Sequence, residues 1–324
     1  MKVVSLFSGC GGLDLGLIQA GHEIIWANDI YADAADTYRK NIENHIDERD
    51  IREIKSSEIP DCDVVVGGFP CQGFSQANMK RNVEDIRNQL YRQMVRVIKD
   101  KQPKFFIGEN VKGMTSLGKG EVLKKIISDF EKSGYSVQWK VVCAADYGVP
   151  QMRMRLIIFG VRKDLNIRDI QFPPTPTHAS PELNKELKLL PWLSIGKALS
   201  HFPEPTDNNE IPNHECSQYK LRFNGHLGHR RIDPEKPAPT VTGRGDEKGG
   251  VVVLHHPNNH RRMSARELAA TQSFPDDFVF SGTKTSAYRQ IANAVPPLLG
   301  KAIGLMLIEN EKLLNCPNNI KATG

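Results

Sequence analysis

Asp63-Val64-Val65-Val66-Gly67-Gly68-Phe69-Pro70-Cys71-Gln72-Gly73-Phe74-Ser75 reads as a buried strand running into a glycine-softened turn with a single thiol at its tip. Three consecutive valines bounded by glycine and proline suit a strand covered on both faces. Further along, Lys104-Phe105-Phe106-Ile107-Gly108 leads into Glu109-Asn110-Val111. A nucleophile and a carboxylate at the carboxyl ends of two strands is how open α/β sheets build active sites.

Outward from this pair, strand and helix patterns alternate as a parallel sheet requires. Strand signals fall at residues 3–7, 23–27, 64–66 and 105–107, and helical ones at 13–20, 32–41, 89–99 and 121–132, the last closed by Gly134. Residues 136–144 and 156–161 have no helix between them and predict an antiparallel pair at the end of the sheet. The proline-dense stretch Phe172-Pro173-Pro174-Thr175-Pro176-Thr177 marks a linker. Residues 173–261 have weak periodicity and hold eight of the ten histidines, which predicts a small irregular domain with short strands such as 250–254. Regular structure resumes at Ser264, whose spacing to Glu267 is that of a capping box. Helices are expected to residue 272 and over 286–293 and 297–310, packing back onto the first domain. The expected division is therefore 1–172, an inserted 173–261, and a returning 262–324.

Composition narrows the class. With 39% apolar and 25% charged residues, the 324-residue chain is of ordinary globular type. No run of 18 apolar residues is evident and the N-terminal apolar run is short for a signal peptide, so no membrane association is expected. The six cysteines are scattered without a C-x-x-C pair, which points to a reducing cytoplasm and a free catalytic thiol. His255, His256 and His260 cluster without a carboxylate or cysteine beside them, so no metal is expected. Formal charge is +5, and residues 76–104 alone carry eight basic side chains against three acidic ones. Positive charge directly after Cys71 suits a polyanionic substrate as well as a solvated helix face.

Phe7-Ser8-Gly9-Cys10-Gly11-Gly12 joins the first strand to the first helix, where glycines let backbone approach a ligand at a helix N-terminus. Asp29, ending the next strand, stands where nucleotide-binding sheets offer a carboxylate to ribose hydroxyls. Asp50-Ile51 is a candidate third contact. The spacing suits a dinucleotide or an adenosyl cofactor.

The ordered set Phe7-Ser8-Gly9-Cys10-Gly11-Gly12, Gly68-Phe69-Pro70-Cys71-Gln72, Glu109-Asn110-Val111, Gln151-Met152-Arg153-Met154-Arg155 and Gln290-Ile291-Ala292-Asn293-Ala294-Val295 resembles the motif series of the DNA cytosine-5 methyltransferases, in their compact bacterial form. The resemblance covers both ends of the chain and leaves out the middle. It implies a Rossmann-like methyltransferase sheet with an inserted, mostly β target-recognition domain. It further implies S-adenosyl-L-methionine as cofactor, with S-adenosyl-L-homocysteine as product, and double-stranded DNA carrying a flipped cytosine as substrate. Cys71 would attack carbon 6 of the base, so that carbon 5 can take a methyl group. A free thiol of pKa about 8.5 is only slightly ionised at neutral pH, so nearby positive charge would help. Glu109 would hold the ring nitrogen, and Arg155 the base carbonyl with Arg153 as its companion. Met152 and Met154 depart from the family pattern, and any ion pair of the usual glutamate at 154 is lost.

By the same resemblance the cofactor would be held by Phe7, Gly9, Cys10, Gly12, Asp29, Ile30, Asp50, Ile51, Gly68, Pro70, Leu90, Asn293 and Val295, with Ile30 replacing a frequent aromatic. DNA contacts would come from a loop at 72–88, through Ser75, Gln76, Lys80, Arg81 and Arg87, and from Arg222, Arg230, Arg231, Thr240 and Arg244 of the small domain. Compact size suggests the modification half of a restriction-modification pair, with a cognate endonuclease acting on the same site without direct binding. The rival readings are a tRNA cytosine-5 methyltransferase, although the Cys-Phe-Thr tripeptide of that group is absent; a DNA-binding protein without catalysis; and a dinucleotide-dependent oxidoreductase.

Overall fold

The valines of 64–66 are all fully buried, and the strand they form lies in the middle of a seven-stranded sheet. The computed structural model describes residues 1–70, 90–206, 210–217, 220–223, 229–242 and 252–314. The order begins β1 (Lys2–Leu6), α1 (Gly12–Gln19), β2 (Glu23–Asn28), α2 (Ala32–Asn41), β3 (Ile46–Asp47), β4 (Val64–Gly67) and α3 (Leu90–Lys101). It continues through β5 (Phe105–Val111), α4 (Glu121–Lys132), β6 (Tyr135–Cys143), β7 (Gln151–Met152) and β8 (Met154–Arg162). In space the strands run β3-β2-β1-β4-β5-β8-β6. The first five are parallel, and β8 runs antiparallel to both β5 and β6, as the missing helix between the last two long strands implied.

Alternation along each strand sorts the core into two layers. Val3, Val64, Val66, Phe105 and Ile107 face Leu13 and Leu17 of α1, while Val4, Val65 and Phe106 face Met94 and Val97 of α3 and Ile126 and Phe130 of α4. The chain leaves β1 toward β2 on one side and later leaves β4 toward β5 on the other. The loops that follow β1 and β4 therefore flank the point where the strand order reverses, the crevice in which such sheets bind ligands.

The middle of the chain departs from the expected mostly β domain. Among the described residues it holds β9 (His178–Ala179), α5 (Pro181–Leu187), β10 (Leu190–Pro191), α6 (Ile195–Leu199) and β11 (Ala238–Pro239), every strand only two residues long. Residues 252–254 are not a strand; an isolated bridge, His255 to Arg262, follows them. Side chains satisfy the backbone here in place of a ladder. Arg262 donates to the carbonyls of Lys220 and Val253 and to His229 Nδ1. The tertiary fold also brings Glu204 and Glu267 to the histidine cluster, but Arg261 occupies both carboxylates.

The C-terminal part comprises α7 (Ala265–Thr271), α8 (Lys284–Asn293) and α9 (Pro297–Leu314). The capping box is present, Ser264 Oγ accepting from Glu267 N and Glu267 Oε2 from Ser264 N. Fully buried Arg266 binds the carbonyls of Pro212, Pro275 and Phe278. The stretch Lys284–Leu314 is long and apolar enough for a membrane span by length and composition, but 61% of its apolar window is buried in the fold, as a core helix would be. Leu299, Ile303, Met306 and Leu307 share a core with α1.

Glycines allow α1 and α9 to touch. A methyl group on Gly16 would collide with the Pro297 carbonyl and stand 2.5 Å from Lys301 N. Overpacking of this kind costs about 1–3 kcal/mol. Gly16→Ala is expected to lower the urea midpoint correspondingly, and an unchanged midpoint would contradict the helix contact.

Candidate active site

The loop after β1 is bent by positive φ at Phe7 (54°), Gly9 (56°) and Gly11 (86°). Only glycine adopts such values freely, so Phe7 is held there by its surroundings. Ser8 ties the loop to β2, its N–H donating to Asn28 O at 3.0 Å. Gly9 N donates to Asp29 Oδ2 at 2.8 Å, and Tyr31 N to Asp29 Oδ1 at 3.0 Å. Burial raises the Asp29 pKa, and these N–H groups oppose the shift. A side chain at Gly9 would meet nothing within 4 Å, so open space lies over the loop. Ile30 and Tyr31 beside it are exposed apolar surface, at 58% and 65%. Asp50 is held by the Arg52 guanidinium, which keeps its pKa low, and Ile51 is buried.

The loop after β4 is built against β5. Phe69 is buried beside Tyr91, and its carbonyl accepts from Asn110 Nδ2 at 2.8 Å. A methyl on Gly68 would lie 3.1 Å from Glu109 Oε2, so glycine leaves room for that carboxylate. Glu109 pairs with Arg155, Nε to Oε1 at 2.7 Å, and both side chains are almost buried. Desolvation raises the Glu109 pKa, while the charges of Arg155 and Arg153 pull it back. A carboxyl group biased toward its protonated form at a crevice mouth can donate a proton to a bound base.

The two loops are joined from the C-terminal side. A methyl on Gly12 would strike the Val295 carbonyl and crowd Ala294, so residues 294–295 lie against the start of α1. Asn293 is exposed and Val295 buried. Leu90 begins α3, half-buried against the core that holds Phe69.

The profile of the C-5 cytosine-specific DNA methylases matches residues 1–309. The chain belongs to that family. It is 41% identical over 319 residues to the Type II methyltransferase M.NgoFVII of Neisseria gonorrhoeae, covering 91% of this chain and 83% of that one. It is 39% identical over 339 residues to the Type II methyltransferase M.FnuDI of Fusobacterium nucleatum, covering 97% of both. The fold matches the crystal structure of a protein described as a prophage-encoded DNA modification methyltransferase of E. coli, with a TM-score of 0.76 and 25% identity over 96% of this chain and 99% of that one.

In this methylase the expected site residues of the catalytic sheet gather along one edge. Gly9, Asp29, Gly68, Glu109 and Arg155 stand at or just beyond the ends of β1, β2, β4, β5 and the start of β8. Cys71, Ser75, Gln76, Lys80, Arg81, Arg87 and Arg244 lie outside the described residues. Cys10 is buried in a core, its thiol pushed up to about 12 by burial and by Asp29, which leaves it no role as a nucleophile. Arg153 makes its hydrogen bonds to backbone carbonyls and none to Glu109. The Thr240 hydroxyl donates to the Met152 carbonyl. Arg222, Arg230 and Arg231 are exposed, and the Arg231 guanidinium stacks 4.7 Å from the Phe223 ring centroid.

Three positioning groups carried no signal of their own. Asn110 stood beside Glu109 in a quoted motif, yet only the fold brings it to Phe69. Gln290 joins α8 to α2, accepting from Thr37 Oγ1 at 2.6 Å and donating to the Ser281 carbonyl. Asp14, fully buried beneath the glycine loop, accepts from Ser5 Oγ at 2.7 Å and Tyr38 OH at 3.0 Å.

Burial moves the Asp14 pKa from 3.8 to about 6. A folded-state value above the unfolded one means the stabilising contribution is complete below the unfolded value and is lost as pH rises through about 6. The shift corresponds to about 3 kcal/mol. Urea unfolding from about pH 4 to pH 7 should show wild type losing up to that amount relative to Asp14→Asn; a pH-independent difference would contradict the assignment.

Proposed function

We propose that this DNA methyltransferase transfers the methyl group of S-adenosyl-L-methionine to carbon 5 of a cytosine flipped out of a specific duplex sequence, through a covalent bond between Cys71 and carbon 6. The observation that carries this reading is the buried Glu109–Arg155 pair, set behind Gly68 and joined through Asn110 to the residues that lead directly into Cys71.

The chemistry follows from the groups present. The Cys71 thiolate adds to carbon 6, and the ring electron pair shifts so that carbon 5 becomes nucleophilic. Glu109 donates a proton to ring nitrogen 3, which neutralises the charge that develops there. Arg155 holds the Glu109 carboxylate and addresses the base carbonyl. After methylation a base removes the carbon 5 proton, the carbon 6–sulfur bond breaks to release the thiolate, and nitrogen 3 returns its proton to Glu109, which restores the ring. Extrusion of the base costs a few kcal/mol, roughly, and contacts from both sides of the crevice offset it.

The residues fit the cofactor. The open space over Gly9, the Asp29 carboxylate and the exposed Ile30 and Tyr31 form a cradle for a sugar with its hydroxyls and a flat base. Bound S-adenosyl-L-methionine would supply the electrophilic methyl group. Phe7, Gly9, Gly12, Asp29, Ile30, Ile51, Gly68, Pro70, Leu90, Asn293 and Val295 would line its site, with Cys10 contributing backbone only. Asp50 would have to share its carboxylate with Arg52.

Residues 173–261 would recognise the target, with Arg222, Arg230 and Arg231 reaching the DNA, and residues 262–324 would complete the catalytic domain. The biological role would be modification within a restriction-modification pair. The relatives named above are Type II methyltransferases, and no observation favours the tRNA reading.

Bisulfite sequencing of DNA from cells expressing the chain should reveal protected cytosines in one sequence context. Duplex with 5-fluorocytosine at that position should form a denaturation-resistant adduct with the wild type and none with Cys71→Ala; an adduct in the variant would remove Cys71 from its role. Glu109→Gln is expected to lower kcat by about 10²–10⁴ while duplex affinity stays within a few-fold. A near-normal kcat would exclude proton donation by Glu109.

A further inference from the structure

Arg153 heads the large side chains that are fully buried, and its environment is unusual for a charge. Nη1 donates to Val241 O at 2.8 Å, and Nη2 to Ala292 O at 2.7 Å and Ala294 O at 2.9 Å. Its Nε is buried without a hydrogen-bond partner among the described residues. A buried guanidinium that served packing alone would be replaced without loss by an apolar side chain of similar volume. The planar fork does what an apolar group cannot: it addresses several carbonyls at fixed angles at once.

Those carbonyls belong to two different parts of the chain. Ala292 and Ala294 flank Asn293, in the segment that lies against Gly12 of the glycine loop. Val241 belongs to the small region, two residues after β11, which pairs with β7 immediately before Arg153. Gln151 ties the same region to the end of α7 instead, its Oε1 accepting from Val241 N at 3.1 Å and its Nε2 donating to Thr271 O at 3.4 Å. Arg155, two residues beyond Arg153, pairs with Glu109. One guanidinium, at the head of the strand that bears Arg155, thus spans the small region and the segment beside the glycine loop.

We propose that Arg153 is a positioning residue that couples the two binding events: its full set of bonds forms only when the small region and the 292–294 segment are both seated, so engagement of DNA by one favours closure of the other over the cofactor. This rests on the functional reading above, in which the small region meets DNA and residues 293–295 meet the cofactor. Linkage requires the effect to be reciprocal, so each ligand must tighten the other by the same factor.

The test measures affinity in a thermodynamic square with full-length protein. Fluorescence anisotropy reports duplex binding with and without S-adenosyl-L-homocysteine, and calorimetry reports S-adenosyl-L-homocysteine binding with and without duplex. The wild type should show mutual tightening of roughly 5- to 150-fold. Arg153→Lys keeps the charge and loses the fork, and should bring that factor to within about twofold of one while each ligand alone binds within a few-fold of wild type. A role confined to stability would weaken both ligands or lower Tm and leave the factor unchanged. Should Arg153→Lys fail to fold, Arg153→Gln, which keeps a donor but cannot bridge Val241 and the 292–294 segment at once, takes its place and should lower the factor in the same way. A factor preserved in the variant that folds, or absent from the wild type, would overturn the proposal. Wild-type protein binding neither ligand would instead overturn the functional reading, and this inference with it.

Discussion

The parallel pairing of β1 with β4 is the constraint on which the molecule depends. Their register, Val3 with Val64 through Leu6 with Gly67, brings both strands to an end at the same level. The loops beyond them, one rich in glycine and one leading to Cys71, must therefore open at one edge and on either side of one crevice. All four residues of β4 are buried, so this level cannot slip without exposing the valine run. Glu109 reaches the same edge because β5 continues the parallel register one strand further out.

Here and elsewhere the protein keeps charge in dry surroundings by giving it backbone partners or an opposite charge. Asp29 accepts from two N–H groups. Arg153 and Arg266 each bind three carbonyls. Glu109 and Arg155 partner each other. Buried charge is tolerated when paired and hydrogen-bonded, and it shifts pKa where pairing is incomplete. The carboxyl of Asp14 shows the second effect, since two hydroxyl donors offset only part of its desolvation.

Much of this was legible beforehand, in particular places. Most long strands and helices of residues 1–162 stood within a residue or two of their predicted ends, because apolar periodicity is strong there and glycines mark the turns; β5 runs four residues past its predicted end, and the two-residue strands β3 and β7 were not predicted. The helix starting after Ser264 followed from a capping box that lies wholly within four residues. The ordered motifs placed the family, which the match over residues 1–309 shows. The small region was not legible. Its backbone is satisfied by side chains from distant positions, such as Arg262 on Lys220, and no local pattern encodes such pairings.

By itself, the sequence determined the layered α/β class, the strand-to-loop junctions at Phe7 and Gly68, and the candidate catalytic groups, because each is written in a short run of neighbouring residues. Only the tertiary structure decided that Arg153 bonds to carbonyls 88 to 141 positions away, that Thr240 faces Met152, and that Asn110 holds the turn before Cys71. The physical reason is that a hydrogen bond depends on distance and angle in space, and the packing of strands and helices sets both.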